Sequence, residues 1–434
     1  MTNNDLLARR ERLLGTGTAL FYDDPVQIVR GEGVWLYDET GRRYLDMYNN
    51  VPCVGHAHPH VVEAMQRQAE TLNVHSRYLH EGILDYAERL TALHADPIST
   101  AIFTCTGTEA NEVAIQMARA ATGNRGIVAS DSAYHGNSTE VAKLSRIGSR
   151  EARGLAPEPE YESFPFPEQY RSLDDSASEQ ELLNLYLDGV RKAIAELQSR
   201  GVALAAMLVC PILANEGIPN IPTGFMAQAT EIVHQAGGLV ICDEVQAGFG
   251  RTGSWWGYET SDFEPDIVSM GKPMGNGMPV AGVVAPLNLV NAFRQKVRYF
   301  NTFAASPLQA AVGMAVIDVI EQEDLVQNAA DIGAYMRDEL RGMQEFCEPL
   351  AEVRGQGLFV GLEWVSDRHA KTADPQGADL IVNRLKEKGF LLSRAGILGN
   401  VVKIRPPLPF HREHADLFLS AFEETIRETD PSSP

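Results

Sequence analysis

The chain reads as an α/β protein, a large unit on a mostly parallel sheet with helices on both faces, followed by a smaller α+β unit. Three observations carry this. From about residue 60 to 320, short apolar runs ("AIFTCTG", "GIVAS", "ALAAMLVCPI", "LVICDEV", "DIVSMG", "VAGVVAP") alternate with helical patterns such as "TEANEVAIQMARA", the rhythm of strands joined through helices. Those runs are apolar on successive residues, as in strands covered on both faces. After "SPLQAAVGMAVIDVIEQED" the pattern changes to "GLFVGLEWV", "ADLIVNRLKEKG" and "VVKIRPPLPF", the pieces of the smaller unit. The expected division is 1–60, 61–325 and 326–434.

Taken in order, "GVWLYDETGRRYLDM" reads as a hairpin turning at Glu39 to Gly41, with polar turn residues between apolar arms, and is expected to join the C-terminal unit. Residues 150–178, rich in Pro, Glu and Ser, read as an irregular surface insertion. With 37 basic and 58 acidic residues the net charge is −21, which opposes binding to nucleic acid or to anionic membranes. No long apolar run or apolar leader is evident, and Cys53, Cys105, Cys210, Cys242 and Cys347 lack paired spacing. A cytoplasmic setting is expected.

The stretch "GGLVICDEVQAGFG" ends a buried-type strand on Asp243 and Glu244. Ligands in such sheets collect beyond the carboxyl ends of the strands, where a carboxylate is costly to desolvate unless a cation meets it. Other features belong to the same edge. Gly107-Thr108 opens a helical pattern after a strand, offering free N–H groups and a positive dipole end to a phosphate. Tyr134-His135-Gly136 follows the next strand and can lay an aromatic face on a flat ligand. Lys272, in "MGKPMGNGMP", stands in apolar surroundings that lower an amine's pKa. Singly, these are equally a capped helix, a packed tyrosine and a loop lysine. Together they are the parts needed to hold pyridoxal 5'-phosphate, with Asp243 pairing the protonated ring nitrogen.

The blocks "LYDETGRRYLDM", "GHAHPHVVEAM", "TGTEANEVAIQMAR", "AYHGN", "CDEVQAGFGRTG", "GKPMGNGMP" and "NTFAASPLQAA" resemble those of the class III aminotransferases, fold type I pyridoxal-phosphate enzymes, over nearly the whole chain. "TLNVHSRYLHEGILDYAERL" is similar to the branch of alanine–glyoxylate aminotransferase-like proteins and ethanolamine-phosphate phospho-lyases. The resemblance implies a seven-stranded, mostly parallel large-domain sheet and a small α+β domain. It assigns Lys272 to the covalent bond with the cofactor and Asp243 to the ring nitrogen. Gln246 falls near the ring hydroxyl, Val245 and Tyr134 against the ring faces with His135 beside them, and Gly107 and Thr108 at the phosphate. Thr302 reaches the phosphate of a neighbouring subunit, which implies a homodimer or dimer of dimers.

Two departures bear on the substrate. Where the family's strand often ends in Glu-Pro, this chain has Cys210-Pro211, and Lys403 stands at the place of the arginine that such a glutamate pairs. Arg405 lies two residues on and Arg394 on the preceding segment, so Cys210, Arg394, Lys403 and Arg405 are the substrate candidates. The resemblance implies a transaminase moving an amino group from an amine or amino acid donor to a keto acid or aldehyde; the departure at Cys210 adds the expectation that it accepts amines lacking a carboxylate near the reacting carbon. A lyase or aminomutase of the same fold, acting on an amino and possibly phosphorylated substrate, is the alternative. A non-catalytic nucleotide or sensor domain calls for a Gly-x-Gly-x-x-Gly run opening a helix, and none is evident.

Overall fold

The computed structural model describes residues 3–17, 19–145 and 158–429. Its centre is a seven-stranded sheet of β1 (Thr100–Thr104), β2 (Gly126–Ser130), β3 (Tyr161–Phe164), β4 (Leu204–Val209), β5 (Leu239–Asp243), β6 (Ile267–Met270) and β7 (Ala281–Ala285). The order is β1-β7-β6-β5-β4-β2-β3. Every neighbouring pair is parallel except those made by β7, which runs against both β1 and β6. The all-apolar runs explain the centre of the sheet: β2, β4, β6 and β7 are buried at every position, as helices on both faces require.

One expectation needs correction. The irregular insertion foreseen over 150–178 contains β3, paired in parallel with β2; residues 146–157 lie outside the described residues. Tyr161 and Phe164 turn inward while Glu162 and Ser163 stay half-exposed. A charged, short strand ending before a proline is what a sheet edge tolerates, and composition alone hid it.

The helix Gly107–Thr122 follows β1 and starts cleanly. Thr106 caps it, its hydroxyl accepting from Glu109 N while the Glu109 carboxylate accepts from Thr106 N, and Gly123 ends it at φ 75. Such a reciprocal cap fixes where the helix begins, and so where its first-turn N–H groups point.

The N-terminal hairpin Trp35–Asp38/Arg43–Asp46 turns over the expected residues, with Asp38 Oδ1 accepting from Thr40 N and Arg42 N. Together with Ile28–Glu32 it forms a four-stranded sheet completed in parallel by Phe390–Leu391. The hairpin therefore joins the C-terminal part of the chain. Beside it stands an antiparallel sheet of Leu350–Gln356, Phe359–Asp367, Val401–Ile404 and Ser393–Ala395, with Thr372–Ala373 on Phe359–Asp367. Among the described residues no helix is long and apolar enough to cross a membrane.

Candidate active site

The carboxyl ends of β1, β2, β4, β5 and β6 deliver their following residues to one cavity of about 130 Å³, lined among others by Gly107, Thr108, Tyr134, His135, Cys210, Asp243, Val245, Gln246 and Lys272. Asp243 is buried at the end of β5. Its Oδ2 takes His135 Nδ1 at 2.7 Å and Asn111 Nδ2 at 2.9 Å, and its Oδ1 takes Val245 N at 3.0 Å. Burial pushes the Asp243 pKa up, but the hydrogen bonds and charge of His135, then Asn111 and Val245 N, outweigh it and hold the carboxyl below its ordinary value. The site thus keeps a carboxylate ionised while dry.

Lys272 follows β6 after Gly271, with its backbone at φ 21. Burial, then the charge of Arg405, lowers its pKa, partly offset by Asp243 and Cys210. A larger cleft of about 710 Å³ opens outward, sharing Tyr134, Gly136 and Asn215 with the inner cavity and adding Phe21, Arg394 and Lys403. Lys403 is buried, and its Nζ lies 5.9 Å from the Phe359 ring centroid. Burial, then Arg405 and Lys272, pushes its pKa well down. Among the described residues no carboxylate stands within ion-pair distance of Lys272, Lys403 or Arg405.

The model of the family described as "Aminotransferase class-III" matches residues 21–426. The chain belongs to the class III aminotransferases. It is 37% identical over 433 residues, 98% of this chain and 87% of the relative, to a Drosophila melanogaster protein named alanine–glyoxylate aminotransferase 2-like. It is 31% identical to a Caenorhabditis elegans protein named ethanolamine-phosphate phospho-lyase homolog 1, covering 98% and 94% of the two chains. Among solved structures, an Arthrobacter phospholyase in complex with phosphoethanolamine superposes with a TM-score of 0.92 at 39% identity, over 98% of this chain and all of that one. The class III aminotransferases are pyridoxal-phosphate enzymes, and this chain is one of them.

The residues present fit that cofactor. A Cβ on Gly107 would stand 2.8 Å from Val245 Cγ2, and one on Gly136, at φ 139, only 2.5 Å from Thr108 Oγ1. Only glycine lets these backbones approach so closely at the helix N-terminus, where the first-turn N–H groups lack intrahelical partners. His135 Nε2 is buried without a partner while Nδ1 holds Asp243, so the ring is set to orient the acid that faces the cavity.

The expected site residues separate into four groups. Lys272, Asp243, Gly107, Thr108, Tyr134, His135, Val245, Gln246 and Cys210 all line the inner cavity. Arg394 and Lys403 line the outer cleft, Arg394 holding Asp379 at 2.9 Å. Arg405 is committed elsewhere: its Nε donates to Tyr48 O at 3.0 Å and its guanidinium donates to Gln246 Oε1. Thr302 is exposed in the 301–306 loop and does not line either cavity, so its assignment requires a second copy of the chain. Sequence reading missed Asn111, Asn215 and Ser269. Asn111 stands one helical turn from Gly107 and is a buried polar residue in an apolar helix, a signal that could have found it. Its Oδ1 accepts from Ser269 Oγ on β6.

Proposed function

We propose that this enzyme is a lyase of small amino-phosphates such as phosphoethanolamine: phosphoethanolamine and water give acetaldehyde, ammonia and phosphate. The observation that carries the reading is Lys403. Its buried side chain faces a cleft with no carboxylate partner, so the charged form is costly until an anion arrives with the ligand. With Cys210 where the family often has glutamate, nothing in the wall neutralises it, and a substrate phosphate does. The likeness to the Arthrobacter phospholyase supports the same chemistry.

When bound, pyridoxal phosphate supplies the electron sink for the carbon that bears the amine. The chain does the rest. Asp243, held ionised by His135 and Asn111, keeps the proton on the ring nitrogen. Lys272 Nζ, its basicity lowered by burial, is available as a neutral amine to take the proton from that carbon and return it. Lys403 binds the anionic end and steadies the leaving phosphate. Tyr134 covers the site from the solvent side, being both cavity wall and half-exposed.

Transamination is the second reading, favoured by the likeness to the Drosophila relative, with small amines and keto acids as substrates in a dimeric enzyme. Supplying phosphoethanolamine alone, then alanine with glyoxylate, separates the two. Phosphate and ammonia release without any acceptor supports the lyase; glycine formation without phosphate release supports transfer; neither reaction refutes both.

A further inference from the structure

The stretch "RGQGLFVGLEW", from Arg354 to Trp364, builds a second charged cluster that does not line the cofactor cavity. Arg354 and Glu363 stand on the paired strands Leu350–Gln356 and Phe359–Asp367 and are 3% and 0% exposed. Arg354 Nη2 donates to Glu363 Oε2 at 2.7 Å and Nη1 to Glu352 at 2.8 Å. Glu363 Oε1 receives Arg171 at 2.5 Å and also Asn400. Buried ion pairs of this kind add little net stability over apolar packing; what they fix is the direction of the remaining donor. Here that donor is Arg354 Nε, which bonds the carbonyl of Gly217 at 2.9 Å.

Gly217 belongs to the 213–218 loop that follows Cys210 at the end of β4. Leu213 at φ 46 and Ile218 at φ 58 are non-glycine residues in the left-handed region, a conformation that persists only where the surroundings over-determine it. Two residues before Gly217, Asn215 lines both cavities. Its Nδ2 donates to Tyr134 O and its Oδ1 accepts from Gln246 Nε2, both at 3.1 Å. One connected path therefore runs from Glu363 through Arg354 and Gly217 to Asn215, and from there to Gln246 and Tyr134.

We propose that Arg354, aimed by Glu363, is a positioning residue that sets the 213–218 loop from the antiparallel sheet and so fixes Asn215 against Gln246 and Tyr134 at the cofactor. The inference rests on the bound cofactor and holds for lyase and transaminase alike. It is tested by measuring pyridoxal-phosphate affinity of the apoprotein, the pH midpoint of the holoenzyme's visible band, and kcat on whichever substrate turns over. The variants are Arg354→Lys, Glu363→Gln, Asn215→Ala and the two doubles with Asn215→Ala.

Each single variant is expected to weaken cofactor affinity, shift the band midpoint and lower kcat about tenfold, with KM changed much less. Each double should be no worse than Asn215→Ala alone, because the path has already been cut at its end. If Arg354→Lys does not fold, Glu363→Gln, which keeps the side chain's shape, carries the same comparison. Losses that multiply in the doubles, or a folded Arg354→Lys with wild-type affinity, band midpoint and kcat, overturn the proposal. Because affinity and band position are read without turnover, a wrong substrate leaves this test intact.

Discussion

Replacing Lys403 by methionine should move stability and turnover in opposite directions. The pKa of Lys403 is driven well below its ordinary 10.5 by burial first, then by the charges of Arg405 and Lys272. A lysine whose folded pKa lies below its unfolded value takes up protons on unfolding, so stability declines as pH falls below 10.5 and the deficit is complete below the folded pKa. Each unit of lowering is worth about 1.4 kcal/mol, so the lysine is a net cost to the folded state at working pH. Methionine removes that deficit, keeps the stem volume and lays a thioether near Phe359. With roughly 2 cal/mol/K of unfolding entropy per residue over 434 residues, the gain raises Tm by about 1.6 °C for each unit of lowering removed. If Lys403 holds the substrate phosphate as proposed, the same change deletes a charge-assisted bond worth about 1.5–3 kcal/mol, or roughly a 10- to 150-fold fall in kcat/KM for phosphoethanolamine. Thermal melts at saturating cofactor and a phosphate-release assay read the two effects. A variant that melts lower than wild type and turns over phosphoethanolamine with unchanged kcat/KM would refute the reasoning.

Four further outcomes are expected. Asp243→Asn should fold and bind cofactor yet lose roughly 10³- to 10⁴-fold in kcat, as when a buried orienting carboxylate is removed elsewhere, because an amide cannot hold the ring proton; near-normal turnover in the loaded variant contradicts this. Borohydride reduction and peptide mapping should put the pyridoxyl label on Lys272, and a label on another lysine refutes the assignment. Glu168 is pushed up to about 7, by burial chiefly, against the opposing charges of Arg354 and Arg171. The folded state therefore holds a proton that the unfolded chain releases near 4.5, and the associated stability, present below 4.5, is lost as pH rises to about 7; Glu168→Gln should flatten that part of a pH–stability curve measured by denaturant melts. Thr302→Ala should weaken cofactor retention if a second copy completes the phosphate site, whereas a fully active monomer in sedimentation at assay concentration argues against a shared site.

What was legible in the sequence was whatever leaves a local mark. The uninterrupted apolar runs announced the central strands, and Asp243 and Lys272 stood out because each breaks such a run at its end. The edge strand Tyr161–Phe164 left no such mark: with one face and one edge in water its residues look like loop. Arg405 and Lys403 were indistinguishable as letters. Only the fold turns one under Gln246 and leaves the other facing the cleft, since strand register and not composition decides where each side chain emerges. Asn215 was equally silent, because its two partners come from the ends of other strands.

The closure of the four-stranded sheet by Phe390–Leu391 has a consequence for synthesis. Arg42 bonds the carbonyl of Glu387, 345 residues away, and Leu45 pairs with Phe390. On the ribosome the hairpin emerges well ahead of its fourth strand, the paired residues Leu45 and Phe390 lying 345 positions apart. Over that interval, roughly 23 s at ~15 residues per second, the Arg43–Asp46 edge is open to adventitious strand pairing. Nascent chains should therefore be most vulnerable to chaperone capture and misassembly at that end, and truncation before residue 390 should leave the hairpin without its cover.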